Sequence, residues 1–114
     1  LLGFSFKPDT DDLRDAPSLD IARLLVQRGA VVCAHDPVAL RNAERLYPDL
    51  GVMYCQDVNE ALAGAEGIVL VTEWPLYHEM DWEKIPPVLV VDGRNFLDRE
   101  KLKRLGFNVI GVGR

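Results

Sequence analysis

The stretch Gly67-Ile68-Val69-Leu70-Val71 decides the fold, because four apolar side chains follow one another without alternation. That is the pattern of a strand covered by helices on both faces, as in a parallel sheet, and not of a strand with one wet side. Val88-Leu89-Val90-Val91 repeats it. Outward from these two, strand-like runs recur at residues 1–6, 31–35, 52–55 and 108–112. Helices are expected between them. Pro17 suits a first helical turn that Ser18 or Asp15 caps, and Leu19, Ala22, Leu24, Leu25 and Val26 form a broad apolar face up to the stop at Gly29. Leu40, Ala43 and Leu46 mark a helix over residues 38–46 that Tyr47-Pro48-Asp49 ends. Asp57-x-x-Glu60 resembles a capping box opening a short helix to Ala63. Asp98 caps a last helix over residues 99–105, which stops at Gly106. Residues 72–87 hold both tryptophans and read as a loop with a short helix near Trp82.

Six strands joined mainly by helices predict an α/β fold: a Rossmann-like, doubly wound parallel sheet with helices on both faces and strand order 3-2-1-4-5-6. A chain of 114 residues suits one domain burying roughly two-thirds of its unfolded surface. At 48% hydrophobic and 27% charged, its composition excludes a disordered tail or a fibrous repeat. The net charge of -5 argues against a general nucleic-acid surface, since duplex binding depends on neutralising phosphates. No apolar run has the length of a membrane helix, and the opening residues lack the basic region of a signal peptide. Cys33 and Cys55 lie in apolar stretches without metal-ligand spacing and read as reduced packing residues, which places the chain in the cytoplasm. Because residue 1 is a leucine already inside an apolar run, the chain also reads as a piece of a longer protein.

In such a fold ligands bind at the carboxyl ends of the strands. Those positions carry Lys7, Asp36, Thr72-Glu73-Trp74 and Asp92-Gly93-Arg94-Asn95, a polar rim with two cations. A dinucleotide site would place G-x-G-x-x-G after the first strand. Here that segment is Gly3-Phe4-Ser5-Phe6-Lys7-Pro8, so the domain is not expected to bind a dinucleotide by itself. Asp11, Asp12 and Arg14 suggest a loop that bonds its own backbone and forms an internal ion pair, holding Lys7 in place, in preference to a magnesium site. His35 and His78 lack a nucleophile or second histidine at useful spacing. Trp74, Tyr77 and Trp82 are expected to pack against the sheet edge or an absent domain, not to stack on a base or sugar, which leaves an apolar patch exposed on residues 72–82.

The opening from Gly3 through Lys7-Pro8-Asp9-Thr10-Asp11-Asp12-Leu13-Arg14 to Ser18 resembles the C-terminal UDP-binding domain of the UDP-glucose/GDP-mannose dehydrogenase family. So do His35-Asp36-Pro37-Val38-Ala39, Val71-Thr72-Glu73-Trp74 and Val90-Val91-Asp92-Gly93-Arg94-Asn95, in order, and the resemblance runs on to Gly113-Arg114. The Asp-Pro-Val-Ala and Val-Thr-Glu-Trp segments are more similar to the UDP-glucose 6-dehydrogenase branch. The resemblance implies an enzyme that oxidises UDP-glucose to UDP-glucuronate with two NAD, through a thioester on a catalytic cysteine. Cys33 and Cys55 do not match that cysteine's motif, so no catalytic residue is assigned, and NAD belongs to the full-length enzyme only. By the same resemblance Lys7 and Arg94 face the nucleotide sugar, and Phe6 lines the pocket. The implied partners are UDP-glucose, the NAD-binding and central domains of the same chain and, at full length, a second copy. The alternative is a noncatalytic nucleotide-binding or interaction domain of the same fold. If the strand order is as expected, the backbones bearing Lys7 and Arg94 lie about 10 Å apart, a spacing that admits a diphosphate, with Gly93 leaving the backbone open.

Overall fold

The computed structural model describes residues 1–14 and 16–112. Its strands are β1 (Cys33–Ala34), β2 (Met53–Tyr54), β3 (Gly67–Leu70), β4 (Leu89–Asp92) and β5 (Asn108–Gly111), all paired in parallel. They form two small sheets, β1-β2 and β3-β4-β5. One residue joins them. Leu2 makes parallel bridges to His35, just past β1, and to Leu70 of β3. Its N–H donates to Val69 O at 2.8 Å, while Val71 N–H donates back to Leu2 O at 2.8 Å. On the other side His35 N–H donates to Leu1 O at 2.9 Å. The succession across the molecule is therefore β2, β1, Leu2, β3, β4, β5.

This is the expected succession with its first strand cut to one residue, and the count of six strands is corrected to five. Gly3 ends the pairing. It sits at φ +94°, where a Cβ would fall 2.4 Å from Thr72 Cβ, so only glycine lets the chain turn this close to the neighbouring strand. The next two N–H groups leave the ladder for a carboxylate.

The helices are α1 (Pro17–Gln27), α2 (Leu40–Leu46), α3 (Val58–Leu62), α4 (Pro75–Glu79) and α5 (Arg99–Arg104), with a 3₁₀ turn at Trp82–Lys84. Asp57 and Asp98 cap α3 and α5 as read, accepting from Asn59 N and Lys101 N. Ser18 caps nothing: α1 starts from Ala16 without a side-chain cap, and Ser18 Oγ instead donates to Phe4 O at 2.6 Å. The other candidate cap, Asp15, lies outside the described residues. Helix α4 falls inside the expected loop. Among the described residues no helix is long and apolar enough to cross a membrane.

Two cores result. Leu19 and Ala22 of α1 and Ala43 of α2 pack with Phe4, Leu13 and Ala34, whereas Ile68, Leu70, Val90 and Val109 pack with Trp82, Leu102 and Phe107. Burial alternates along β3 and β4, so the expectation of cover on both faces is corrected: Ile68, Leu70 and Val90 are buried, but Val69 and Val91 are only half-buried. These two residues, with Leu25, Met53 and Leu89, line an apolar groove of about 730 Å³. The exposed patch expected on residues 72–82 is also corrected, since Trp74, Tyr77 and Trp82 are all buried. Their polar atoms find internal partners, as Tyr77 Oη donates to His35 O at 3.1 Å and Trp82 Nε1 to Tyr77 O at 3.0 Å. With those groups satisfied, each large side chain contributes about 2–3 kcal/mol by burial. Cys33 and Cys55 are free and half-buried, not core residues.

Candidate functional site

The site is built on Asp36, immediately after β1. Its side chain is buried and accepts from both neighbouring segments. Oδ1 takes Val38 N and Ala39 N, each at 2.8 Å, which turns the chain toward α2. Oδ2 takes Phe4 N at 2.8 Å, Ser5 N at 3.0 Å and Trp74 Nε1 at 3.1 Å. The remaining polar groups of the loop after Leu2 are matched one by one. Ser18 Oγ donates to Phe4 O, Thr72 Oγ1 to Ser5 O at 2.7 Å, and Ser5 Oγ to Lys7 O at 2.9 Å. Phe6 N donates to Asp12 O at 2.7 Å. A backbone tied at this many points holds one conformation.

Of the three residues expected at the ligand, Arg94 meets the backbone carbonyl of Phe6, and Lys7 follows Phe6 in the chain. Arg94, beyond β4, donates through Nε to Val71 O at 2.7 Å and through Nη2 to Phe6 O at 3.3 Å. These bonds set the plane of its guanidinium beside the residue that precedes Lys7. Phe6 and Lys7 are exposed, and Arg94 is half-buried. The rim thus presents a planar cation of fixed orientation, a mobile ammonium and an apolar ring, a combination suited to a phosphate-bearing ligand with an attached ring.

Asp92 shapes the Arg94 side. It accepts from Arg94 N at 3.1 Å and from Phe96 N and Leu97 N at 2.8 Å each. Gly93 serves this turn: a Cβ there would lie 2.7 Å from Leu70 O, the atom to which Gly93 N donates at 2.9 Å. The close approach to Leu70 O is by itself a packing reason for glycine at this position. Asn95, at φ 52°, clamps β5 by accepting from Val112 N at 2.9 Å and donating to Val112 O at 2.6 Å.

The acidic loop bonds itself as read. Asp12 Oδ2 lies 2.8 Å from Arg14 Nη2, Arg14 N donates to Asp12 Oδ1 at 2.9 Å, and Asp12 N to Thr10 Oγ1 at 3.1 Å. Hydrogen bonding to Arg14 holds the Asp12 carboxyl down at about 2. Among the described residues no group of three or more His, Cys, Asp or Glu side chains is gathered for a metal. His35 is buried with Nδ1 2.9 Å from Tyr77 Oη, and burial pulls its pKa below the usual value. His78 stacks edge-on with Phe96.

Sequence reasoning named Asp36 only as a rim residue, and it missed Ser5 as a donor to Asp36 and Ser18 and Thr72 as donors to the Phe4 and Ser5 carbonyls. The Asp-Pro turn was the available signal for its local half, since an aspartate there bonds N–H groups two and three residues on. Nothing in the spacing announced the bonds to Phe4, Ser5 and Trp74. The loop also differs from a dinucleotide cradle in where its donors go. Its N–H groups at Phe4 and Ser5 are already bonded, and the acid at the end of β1, where such folds contact a ribose, is spent on internal donors.

Residues 1–99 match the UDP-binding domain of the UDP-glucose/GDP-mannose dehydrogenase family. A UDP-glucose 6-dehydrogenase of Pseudomonas aeruginosa is 40% identical across the whole of this chain and 27% of its own length. One from Rickettsia felis is 34% identical over 99% of this chain and 26% of its own. The solved UDP-glucose dehydrogenase of the archaeon Pyrobaculum islandicum superimposes with a TM-score of 0.77 at 37% identity, over 96% of this chain and 23% of that one. The chain spans about a quarter of the length of the curated relatives it matches.

Proposed function

For a chain that belongs to the UDP-glucose/GDP-mannose dehydrogenase family and matches its UDP-binding domain, we propose that it holds the UDP moiety of UDP-glucose at the rim of Phe6, Lys7 and Arg94. In this reading it is one part of a longer NAD-dependent UDP-glucose 6-dehydrogenase. That enzyme oxidises UDP-glucose to UDP-glucuronate in the cytoplasm, and the NAD site and catalytic cysteine belong to its NAD-binding and central domains. Those domains and a second copy of the full-length chain are the partners. The observation that supports the reading is the bond from Arg94 to Phe6 O, which ties the arginine to the backbone of the segment that carries Phe6 and Lys7. The choice of UDP-glucose is supported by relatives of that name at 34–40% identity.

Calorimetric titration of the chain with UDP tests it. Arg94→Ala is expected to cost about 2–4 kcal/mol of binding and Lys7→Ala about 1–2, because a planar guanidinium grips two phosphate oxygens where an ammonium grips one. Arg94→Lys should recover only part of the loss. Wild-type affinity in both alanine variants would place the ligand elsewhere. NADH formation from UDP-glucose and NAD by the isolated chain would overturn its assignment as a binding part.

A further inference from the structure

The loop after Leu2 carries the backbone N–H groups that, in a nucleotide-binding fold, would be aimed at an external anion. In this chain they meet an internal one. Asp36 is 3% exposed and belongs to a different strand end from the loop it holds. A carboxylate offers about four lone-pair sites, and here the donors are Phe4 N, Ser5 N, Val38 N, Ala39 N and Trp74 Nε1. It is saturated, with no capacity left for a ligand.

What it acts on is the pair of residues that bear the site. From Ser5, Oγ donates to Lys7 O, and the adjoining Phe6 carbonyl accepts from Arg94 Nη2. Trp74 reaches the same Oδ2 from the far side, joining the segment after β3 to the arrangement.

We propose that Asp36 is the positioning residue of the UDP site: its carboxylate replaces a ligand anion at the Phe4 and Ser5 N–H groups and so sets where Lys7 and Arg94 stand. The proposal rests on the UDP reading above. It divides the labour of the rim, leaving the anion to side chains and withdrawing the backbone from it. Asp36 touches no ligand. Its removal acts on affinity through the loop, and therefore through Lys7.

A double-mutant cycle with UDP as the probe tests this. Asp36→Asn keeps the size and one acceptor but turns an NH₂ group toward backbone N–H groups. It should weaken UDP binding about tenfold or more and speed amide exchange at Phe4, Ser5 and Phe6. In the wild-type background Lys7→Ala should cost about tenfold, and in the Asp36→Asn background less than about twofold, because a released loop no longer presents the ammonium. A purely structural role would leave the two effects multiplicative, and that result overturns the proposal. If Asp36→Asn does not fold, Trp74→Phe provides the second reading, since it keeps a ring and removes one donor from Oδ2. It should fold, weaken UDP binding about two- to fivefold and shift the Phe4 and Ser5 amide resonances, whereas unchanged binding and resonances overturn the proposal. Failure of the wild-type chain to bind UDP overturns the UDP reading and this proposal with it. Binding by the wild type with independent Asp36 and Lys7 effects overturns this proposal alone.

Discussion

Asp36 and Asp92 stand at the carboxyl ends of β1 and β4 with the same chemistry and different reach. Both are buried, and both accept from backbone N–H groups. Every donor to Asp92 lies within the next few residues, at Arg94, Phe96 and Leu97. Asp36 has two such neighbours, Val38 and Ala39, and draws the rest from Phe4, Ser5 and Trp74. A local carboxylate shapes its own turn. A carboxylate with distant donors joins three segments, and here it also joins the two sheets at the place where Leu2 bridges them.

The comparison breaks most directly at the two acids. Asp36→Ala orphans five donors, four of them buried, and is expected to cost about 3–5 kcal/mol, against about 2–3 for Asp92→Ala, because each unpaired buried group adds a desolvation penalty. Urea denaturation measures both. Equal losses would mean that the distant bonds add nothing beyond the local ones.

A smaller effect comes from His35, next to Asp36. Burial holds its folded-state pKa below 6.5, so between that lowered value and 6.5 the unfolded chain takes up a proton that the folded chain refuses. Stability is unaffected by this group above about pH 6.5 and falls as the pH drops below it. Urea midpoints from pH 7.5 to pH 5 should decline in the wild type and decline less in His35→Gln. Asp12 acts in a separate window. Its depressed carboxyl contributes above the ordinary value of 3.8 and loses that contribution as the pH falls toward about 2. An acid profile unchanged by His35→Gln would assign the β1 side no special sensitivity.

The smallest expected effect sharpens the local limit. Asp57→Ala removes one exposed cap bond to Asn59 N at 2.8 Å and should cost about 1 kcal/mol. Thermal melting would show it as a shift of a few degrees. A loss as large as that for Asp92→Ala would erase the distinction between a solvated cap and a buried turn.

The elements that were legible in the sequence are those whose signals are local. Asp57 and Asp98 announced their helices because a cap needs only its own first turn, and residues 108–112 announced β5 because apolar side chains and flanking glycines suffice. Motif resemblance singled out Phe6, Lys7 and Arg94 as the residues expected at a ligand, but it did not announce the bond that unites Arg94 with Phe6 O. The first segment misled for a physical reason. Leu1, Leu2, Phe4 and Phe6 have the composition of a strand, but Asp36 competes for the N–H groups that would have continued the ladder. The tryptophan loop misled in the same way, since residues 72–82 were expected to leave an apolar patch exposed, whereas Tyr77 and Trp82 found partners in His35 O, Tyr77 O and Phe107.

By itself the amino-acid sequence determined a parallel α/β chain with five of its strands, most of its helices and a rim carrying Lys7 and Arg94. Periodicity, caps and strand-end positions depend on neighbours a few residues apart. Only the tertiary structure decided which donors Asp36 would satisfy, that the first strand would shrink to Leu2, and which face of β3 and β4 would stay half-open. Those outcomes are competitions between groups tens of residues apart, won by whichever partner the folded backbone brings within hydrogen-bonding distance.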